Sequence, residues 1–243
     1  MIVKQDYKNK FLDDLLSEFS GKETHILDMG SGTSANFIDV LKKNKNFYYT
    51  GIEFNEISLS AAHNNLKELQ NAVALHGYGE GFDEKKDTYD VVVSLSVLEH
   101  VKCLEKFLLQ SISMCKSGGM VIHRYDLGHS LYPSSLREQF TVWLSLRAPF
   151  IFSKNNFTTH PSLKKIVGIL EQNGLKNIEV DYSQSFSFKK LMNKLNPEVP
   201  GNNNLAKKIL DFEDELKSHF LTLLNENEKE LIFPTITVKG IKG

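Results

Sequence analysis

The segment Ile26-Leu27-Asp28-Met29-Gly30-Ser31-Gly32-Thr33 decides how this sequence folds. A short apolar run from His25 ends on Gly-Ser-Gly, and helical spacing then begins at Phe37, Ile38, Val40 and Leu41. The reading is strand, glycine turn, helix. Glycines at such a junction let the backbone pass close to a ligand and let helical N–H groups face it. A dinucleotide site wants Gly-x-Gly-x-x-Gly, but here Ala35 holds the third glycine position and Asp28 precedes the first. A carboxylate in that place repels a pyrophosphate and attracts a cationic aminoacyl group.

Working outward, Phe11, Leu15, Leu16 and Phe19 predict a helix closed by Ser20-Gly21. Downstream the pattern predicts strands over 47–53, 72–76 and 89–95, with a helix over 57–69 between the first two. A helix over 102–115, a turn at Lys116-Ser117-Gly118-Gly119 and a strand over 120–125 complete the first half. Strands alternating with helices predict an α/β chain with a doubly wound, mostly parallel sheet. Beyond Leu127 the rhythm breaks into an irregular insertion over 128–160, too long for a simple connection. Helical spacing resumes at Leu163, Ile166, Val167 and Leu170, followed by a strand over 178–182. A second insertion, 183–230, carries a helix with Leu205, Ile209, Phe212, Leu216, Phe220 and Leu223 on one stripe, and a last strand covers 232–241.

The chain has 243 residues, enough for one domain carrying accessory elements, and the reading is a single domain over 1–243. Lys plus Arg number 29 against 30 Asp plus Glu, so no overall field recruits a nucleic acid or an anionic membrane. No run approaches the ~20 apolar residues of a membrane span. Cys103 and Cys115 fall within one expected helix, roughly 18 Å apart along its axis, and so cannot pair. Unpaired cysteines and a charged N-terminus without an apolar core point to the cytoplasm.

Leu27 to Thr33 resembles the first motif of class I S-adenosylmethionine (SAM)-dependent methyltransferases, in the small-molecule branch of methyltransferase type 11/12. Downstream order agrees: Gly51-Ile52-Glu53-Phe54 ends the second strand, Tyr89 to Val101 closes on Leu98-Glu99-His100-Val101, and Cys115 to Ile122 resembles the Lys-Pro-Gly-Gly turn, with Ser117 in place of proline. The resemblance implies a Rossmann-like fold of seven strands with an antiparallel last strand, and a protein that binds SAM and releases S-adenosylhomocysteine (SAH). It assigns Asp28, Gly30, Ser31 and Gly32 to the cofactor's turn, Glu53 to the ribose diol, Phe54 to the adenine, and Ser94, Leu95, Glu99 and His100 to its neighbourhood. The third strand departs from the family, reading His76-Gly77-Tyr78-Gly79 without an acidic residue, so adenine contact falls to Tyr78 and Gly79.

Ligands of open parallel sheets sit beyond the carboxyl ends of the strands. There, His123-Arg124-Tyr125-Asp126-Leu127-Gly128-His129 offers two histidines and a carboxylate. Methyl transfer to a hydroxyl requires a base, which predicts His129 or His123 in that role with Asp126 orienting it. No further ligand joins this cluster by spacing, so no metal is expected. The same run, with Leu131, Tyr132 and Trp143 following, resembles bacterial methyltransferases of surface-polysaccharide synthesis, which implies a small polar acceptor such as a sugar or polysaccharide precursor. The insertions 128–160 and 183–230 are expected as lid or acceptor elements, and the apolar stripe as a lid, core or interface, a homodimer among its uses. The alternatives are a non-catalytic SAM- or partner-binding module and an NAD-dependent oxidoreductase. Nucleic-acid methylation is disfavoured because Ser94-Leu95-Ser96-Val97 lacks the proline-rich motif and neither cysteine follows a proline.

Overall fold

The computed structural model describes residues 11–79, 81–82, 86–133, 135–148, 158–192, 194–195 and 199–243. Helix α1 covers 11–16 and leads through a 3-10 turn into the first strand. The strands are β1 (Thr24–Met29), β2 (Phe47–Glu53), β3 (Ala72–His76), β4 (Tyr89–Leu95), β5 (Cys115–Asp126), β6 (Leu175–Ser183) and β7 (Thr235–Lys242). They form one seven-stranded sheet in the order β3-β2-β1-β4-β5-β7-β6. β7 runs antiparallel to both β5 and β6, whereas the pairs among β1 to β5 are parallel. The chain order reverses between β1 and β4, which makes their carboxyl ends the switch point of the sheet.

Alternation along the central strands builds two cores. Leu27, Met29, Val92 and Val121 face one side, against Phe107, Leu108 and Ile112 of α4 (Leu104–Met114) and Ile166 and Leu170 of α7 (Leu163–Gln172). Ile26, Val91, Val93 and Ile122 face the other, under Leu12 and Leu16 of α1, Leu41 of α2 (Ile38–Lys43), and Ala62 and Leu66 of α3 (Glu56–Leu66). Each fully buried side chain of this size contributes about 1.5–3 kcal/mol. Period-two strands buried on both faces hold this sheet between two helical layers.

Several boundaries differ from the sequence expectation. The helix expected over 102–115 is shorter, because Cys115 already pairs with Tyr89 as the first residue of β5. The register then shifts from Cys115 to Met120 against Tyr89 and Val91, so the expected turn is an irregularity inside the strand, with Gly118 at φ +76°. The cysteines therefore flank α4, and neither is in a disulfide. The last strand starts at Thr235 rather than 232, because a capping box of Asn225 and Glu228 launches α10 (Glu226–Ile232).

The insertion expected to be irregular holds α5 (Gly128–Leu131) and α6 (Leu136–Arg147), and Ser135 caps α6 by accepting from the Glu138 N–H. Helices α8 (Phe186–Met192), α9 (Asn202–Phe220) and α10 fill the second insertion. The apolar stripe on α9 is only partly covered: Leu205, Phe212 and Phe220 are exposed, Ile209 packs with Met192 and Ala206, and Ala206 and Glu213 are the buried positions among the described residues of the helix. Among the described residues, no helix is long and apolar enough to cross a membrane.

Candidate functional site

The glycine turn is built from β1 and locked to β2. The N–H groups of Gly30 and Ser31 both donate to the Ile52 carbonyl at 2.9 Å. Gly32 N–H donates to Glu53 Oε2 at 2.8 Å, and Asn55 N–H donates to Oε1 at 2.7 Å. Asn55 in turn caps α3 through the Ile57 and Ser58 N–H groups. One carboxylate thus ties the turn, the end of β2 and the start of α3 together, and each oxygen keeps a second lone pair.

Gly30 and Gly32 sit at φ +85° and +55°, where a side chain is strained. A Cβ on Gly30 would lie 2.7 Å from Val97 Cγ2, so the turn also needs glycine for its approach to the segment after β4. Beneath the turn, Asp28 is 2% exposed and its Oδ2 accepts from the Tyr49 hydroxyl at 2.9 Å. Burial, and then the charge of Asp28, push the Tyr49 hydroxyl well above its ordinary pKa and keep it a donor. The buried Ser31 and Ser34 hydroxyls lie beside the Tyr49 hydroxyl, and their hydrogen bonding to it acts against this rise.

Over the ends of β1, β2, β3 and β4 lies a cleft of about 790 Å³, partly open to solvent. Gly30, Phe54, Tyr78, Gly79 and His100, all expected cofactor contacts, line it. The Phe54 and Tyr78 rings are stacked, with centroids 5.4 Å apart and planes within 16°, and form a flat apolar wall. Ile52, Gly77, Val97, Val101, Lys102 and Phe107 also line the cleft, none of them singled out from the sequence. Val97, Val101 and Lys102 flank the quoted Glu99-His100 pair, so widening that window would have found them. Phe107 shows only the periodicity of a core residue.

The rest of the expected site is placed elsewhere. Asp28, Ser31, Gly32 and Glu53 form the turn beside the cleft rather than its lining. Ser94 is fully buried and bonds His123 Nδ1 at 2.8 Å, while Leu95 packs into the core on the α1–α3 side. His123 does not suit a base: it is fully buried, and its Nε2 is engaged by the Ser111 hydroxyl at 3.1 Å. Burial pushes its pKa down to about 3, so it is a neutral core histidine held between two serines. The side chain of His129 lies outside the described residues. Asp126 does not orient His123, whose ring nitrogens meet Ser94 and Ser111; its Oδ1 accepts from Gly128 N–H at 2.8 Å and its Oδ2 meets the Lys189 ammonium.

Glu99 is not among the residues that line the cleft. It is 1% exposed on the 3-10 turn Leu98–His100, and its Oε1 accepts from the Asp126 N–H at 3.3 Å. Burial raises its carboxyl pKa to about 8. Among the described residues, no group of three His, Cys, Asp or Glu side chains is arranged to hold a metal ion.

A family model described as a methyltransferase domain matches residues 5–180. The chain belongs to this family. Methyl transfer with SAM as donor is the activity of its class. A comparison with curated protein sequences finds no match. Among solved structures, the methyltransferase resembles the YcgJ protein of Bacillus subtilis at 17% identity and a TM-score of 0.57, covering 98% of both chains. It also resembles phosphoethanolamine N-methyltransferase 2 of Haemonchus contortus, solved with phosphomonomethylethanolamine and SAH, at 15% identity and a TM-score of 0.59, over 96% of this chain and 52% of that one. A geranyl diphosphate C-methyltransferase from Streptomyces coelicolor A3(2), solved with Mg²⁺, geranyl diphosphate and SAH, matches at 11% identity and a TM-score of 0.64, over 98% and 78%. At these identities the likeness is one of fold.

Proposed function

We propose that this protein transfers a methyl group from SAM to an oxygen or nitrogen of a small polar acceptor. The observation that carries the reading is the cleft at the switch point, walled by Phe54 and Tyr78 and bordered by the turn that Glu53 holds. The residues fit the donor. Phe54 and Tyr78 offer an aromatic surface to a nucleobase, the free lone pairs of Glu53 suit a ribose diol, and Asp28 with the Ser31 and Ser34 hydroxyls suits a charged aminoacyl end. When bound, SAM supplies an electrophilic methyl on a sulfonium.

The chain's own part is alignment and exclusion of water. Gly30 lets Val97 close on the turn, and Val97, Val101 and Phe107 make an apolar floor. Two of the similar structures, one bound to phosphomonomethylethanolamine and one to geranyl diphosphate, support a small-molecule acceptor here. A sugar or polysaccharide precursor is one such acceptor.

Thermal unfolding with SAM, SAH, NAD and no ligand tests the reading. Stabilisation by the first two alone supports it, and protection by NAD alone, or by none, overturns it.

A further inference from the structure

The described carboxylates that the cofactor cleft does not use gather past the ends of β4 and β5. Glu99 faces Asp126, and the Tyr125 hydroxyl lies close enough to Glu99, Glu230 and Tyr182 that their charges, after burial, raise its pKa. Glu226 accepts from the Tyr182 hydroxyl, and Glu230 sits 3.7 Å from His160 Nε2, whose Nδ1 meets the Ser130 hydroxyl at 3.0 Å. Two ammonium groups answer these four carboxyls: Lys189 on Asp126, and Lys229 on Glu226. The region therefore has an excess of acid.

Two polar atoms in it are buried without a partner. Glu99 Oε2 has no hydrogen bond although the residue is 1% exposed, and the Tyr125 hydroxyl has none in a fully buried residue. An orphaned carboxyl oxygen costs the fold free energy unless something brings it a donor. Lys189 shows which donor this environment accepts, because its ammonium already sits on the neighbouring Asp126. Glu99 also belongs to the turn Leu98–His100, and Val97 and His100 of this segment line the cofactor cleft.

We propose that Glu99 binds the methyl acceptor and acts as its base, and that the acceptor is a small primary or secondary amine arriving as an ammonium ion. The inference rests on the methyl-transfer reading above. The ammonium gives one proton to the Glu99 carboxylate, leaving a neutral amine and a neutral carboxylic acid. The amine lone pair then forms the N–C bond as the S–C bond breaks, and the electrons of that bond stay on sulfur as a thioether. The product leaves as the methylated ammonium ion, and the neutral Glu99 carboxylic acid gives its proton to water, which restores the carboxylate.

Burial drives the first step, since it disfavours both charges of the pair, raising a carboxyl and lowering an ammonium until the proton crosses. The pKa of Glu99, raised to about 8 by burial first and then by Asp126, is in keeping with this. Its own backbone N–H, then the Asp126 N–H and the Lys189 charge, act the other way and keep it from rising further.

The test uses the whole chain, radiolabelled SAM, and a panel of small primary and secondary amines bearing hydroxyl, carboxyl or phosphate groups, beside the matched alcohols. Amines are expected to be methylated and alcohols not, with kcat/KM rising toward an apparent pKa near that of Glu99. Glu99→Gln should lower kcat/KM at neutral pH at least 100-fold and move the rising limb toward the pKa of the free amine. Glu99→Asp should keep the wild-type limb at a reduced rate. SAH should still protect both variants from heat, which shows that the fold and the cofactor cleft survive.

Turnover of alcohols in place of amines, no amine turnover by a protein that SAH protects, or an unaltered pH profile in Glu99→Gln would each overturn the proposal and leave the methyl-transfer reading standing. Absence of SAH protection in the wild type would remove that reading, and this proposal with it.

Discussion

Replacing Glu53 with glutamine keeps the shape of the side chain but leaves one oxygen to serve two N–H groups. In the wild type, Gly32 and Asn55 each donate to a separate carboxylate oxygen. The new amide nitrogen must face one of these donors with a donor of its own. A hydrogen bond to a charged group contributes about 1.5–3 kcal/mol, so the ligand-free protein should lose about 2 kcal/mol of stability. The ribose contacts weaken by a similar amount, which corresponds to a roughly 30-fold higher Kd for SAH. At a ligand concentration about 100 times the wild-type Kd, binding adds about 2.7 kcal/mol to the wild type and about 0.9 kcal/mol to the variant. For a chain of this size that is a Tm rise of about 5–11 °C against about 2–3 °C. Differential scanning fluorimetry over a SAH titration, with calorimetric Kd values, reads both quantities. A variant with wild-type Tm and a wild-type SAH response would refute the placement of Glu53 as the link between turn and cofactor.

Gly30→Ala should damage SAH binding more than Gly32→Ala. Both positions carry positive φ, a strain of about 1–2 kcal/mol for alanine, but only at Gly30 does the new methyl meet Val97; equal calorimetric Kd values in the two variants would contradict this. Two buried groups should also tilt stability with pH in opposite senses, offsetting each other between 4.5 and 6.5 and leaving a net fall below 4.5 and from 6.5 to about 8. His123, lowered from 6.5 to about 3, refuses a proton that the unfolded chain takes, so stability drops as pH falls below 6.5, by up to about 1.4 kcal/mol per pH unit. Glu99, raised from 4.5 to about 8, holds a proton that the unfolded chain gives up, so stability drops as pH rises from 4.5 to 8. Urea unfolding across pH should show the acid slope flattened in His123→Gln and the alkaline slope flattened in Glu99→Gln. Iodoacetamide should label exposed Cys103 in the folded protein and spare Cys115, whose buried thiol is pushed up to about 12; mass spectrometry showing equal labelling would place Cys115 wrongly.

The parts of the fold that were legible are those set by local pattern. Residues 47–53, 72–76 and 89–95 emerge as β2, β3 and β4 with the expected bounds, because alternation and β-branching act within a few residues. The glycine turn was legible for the same reason, as Gly30, Gly32 and Asp28 adjoin in sequence. The start of β5 was not, since Cys115 is recruited to the strand by Tyr89 across the sheet. Nor was the exposure of Leu205, Phe212 and Phe220, because an apolar stripe records that one helix face differs from another without saying what lies opposite.

His123 shows where a reading of strand ends goes astray. Val121, His123 and Tyr125 alternate onto the same face of β5, and that face lies under α4, so periodicity alone puts the imidazole in the core with Val121 and Tyr125. What periodicity cannot supply is the partner set. Ser94 comes from β4 and Ser111 from α4, and only the sheet and its crossover bring the two hydroxyls to the two ring nitrogens. The same holds beyond the strand. Asp126 meets Lys189 and Glu230 approaches His160 across long stretches of chain, and Glu99 joins them through a backbone N–H rather than a side chain. A residue type at a strand end is therefore a weak guide to chemistry. The unpaired Oε2 of Glu99 is the stronger one, because it and the Tyr125 hydroxyl are the atoms of this group still buried without a partner.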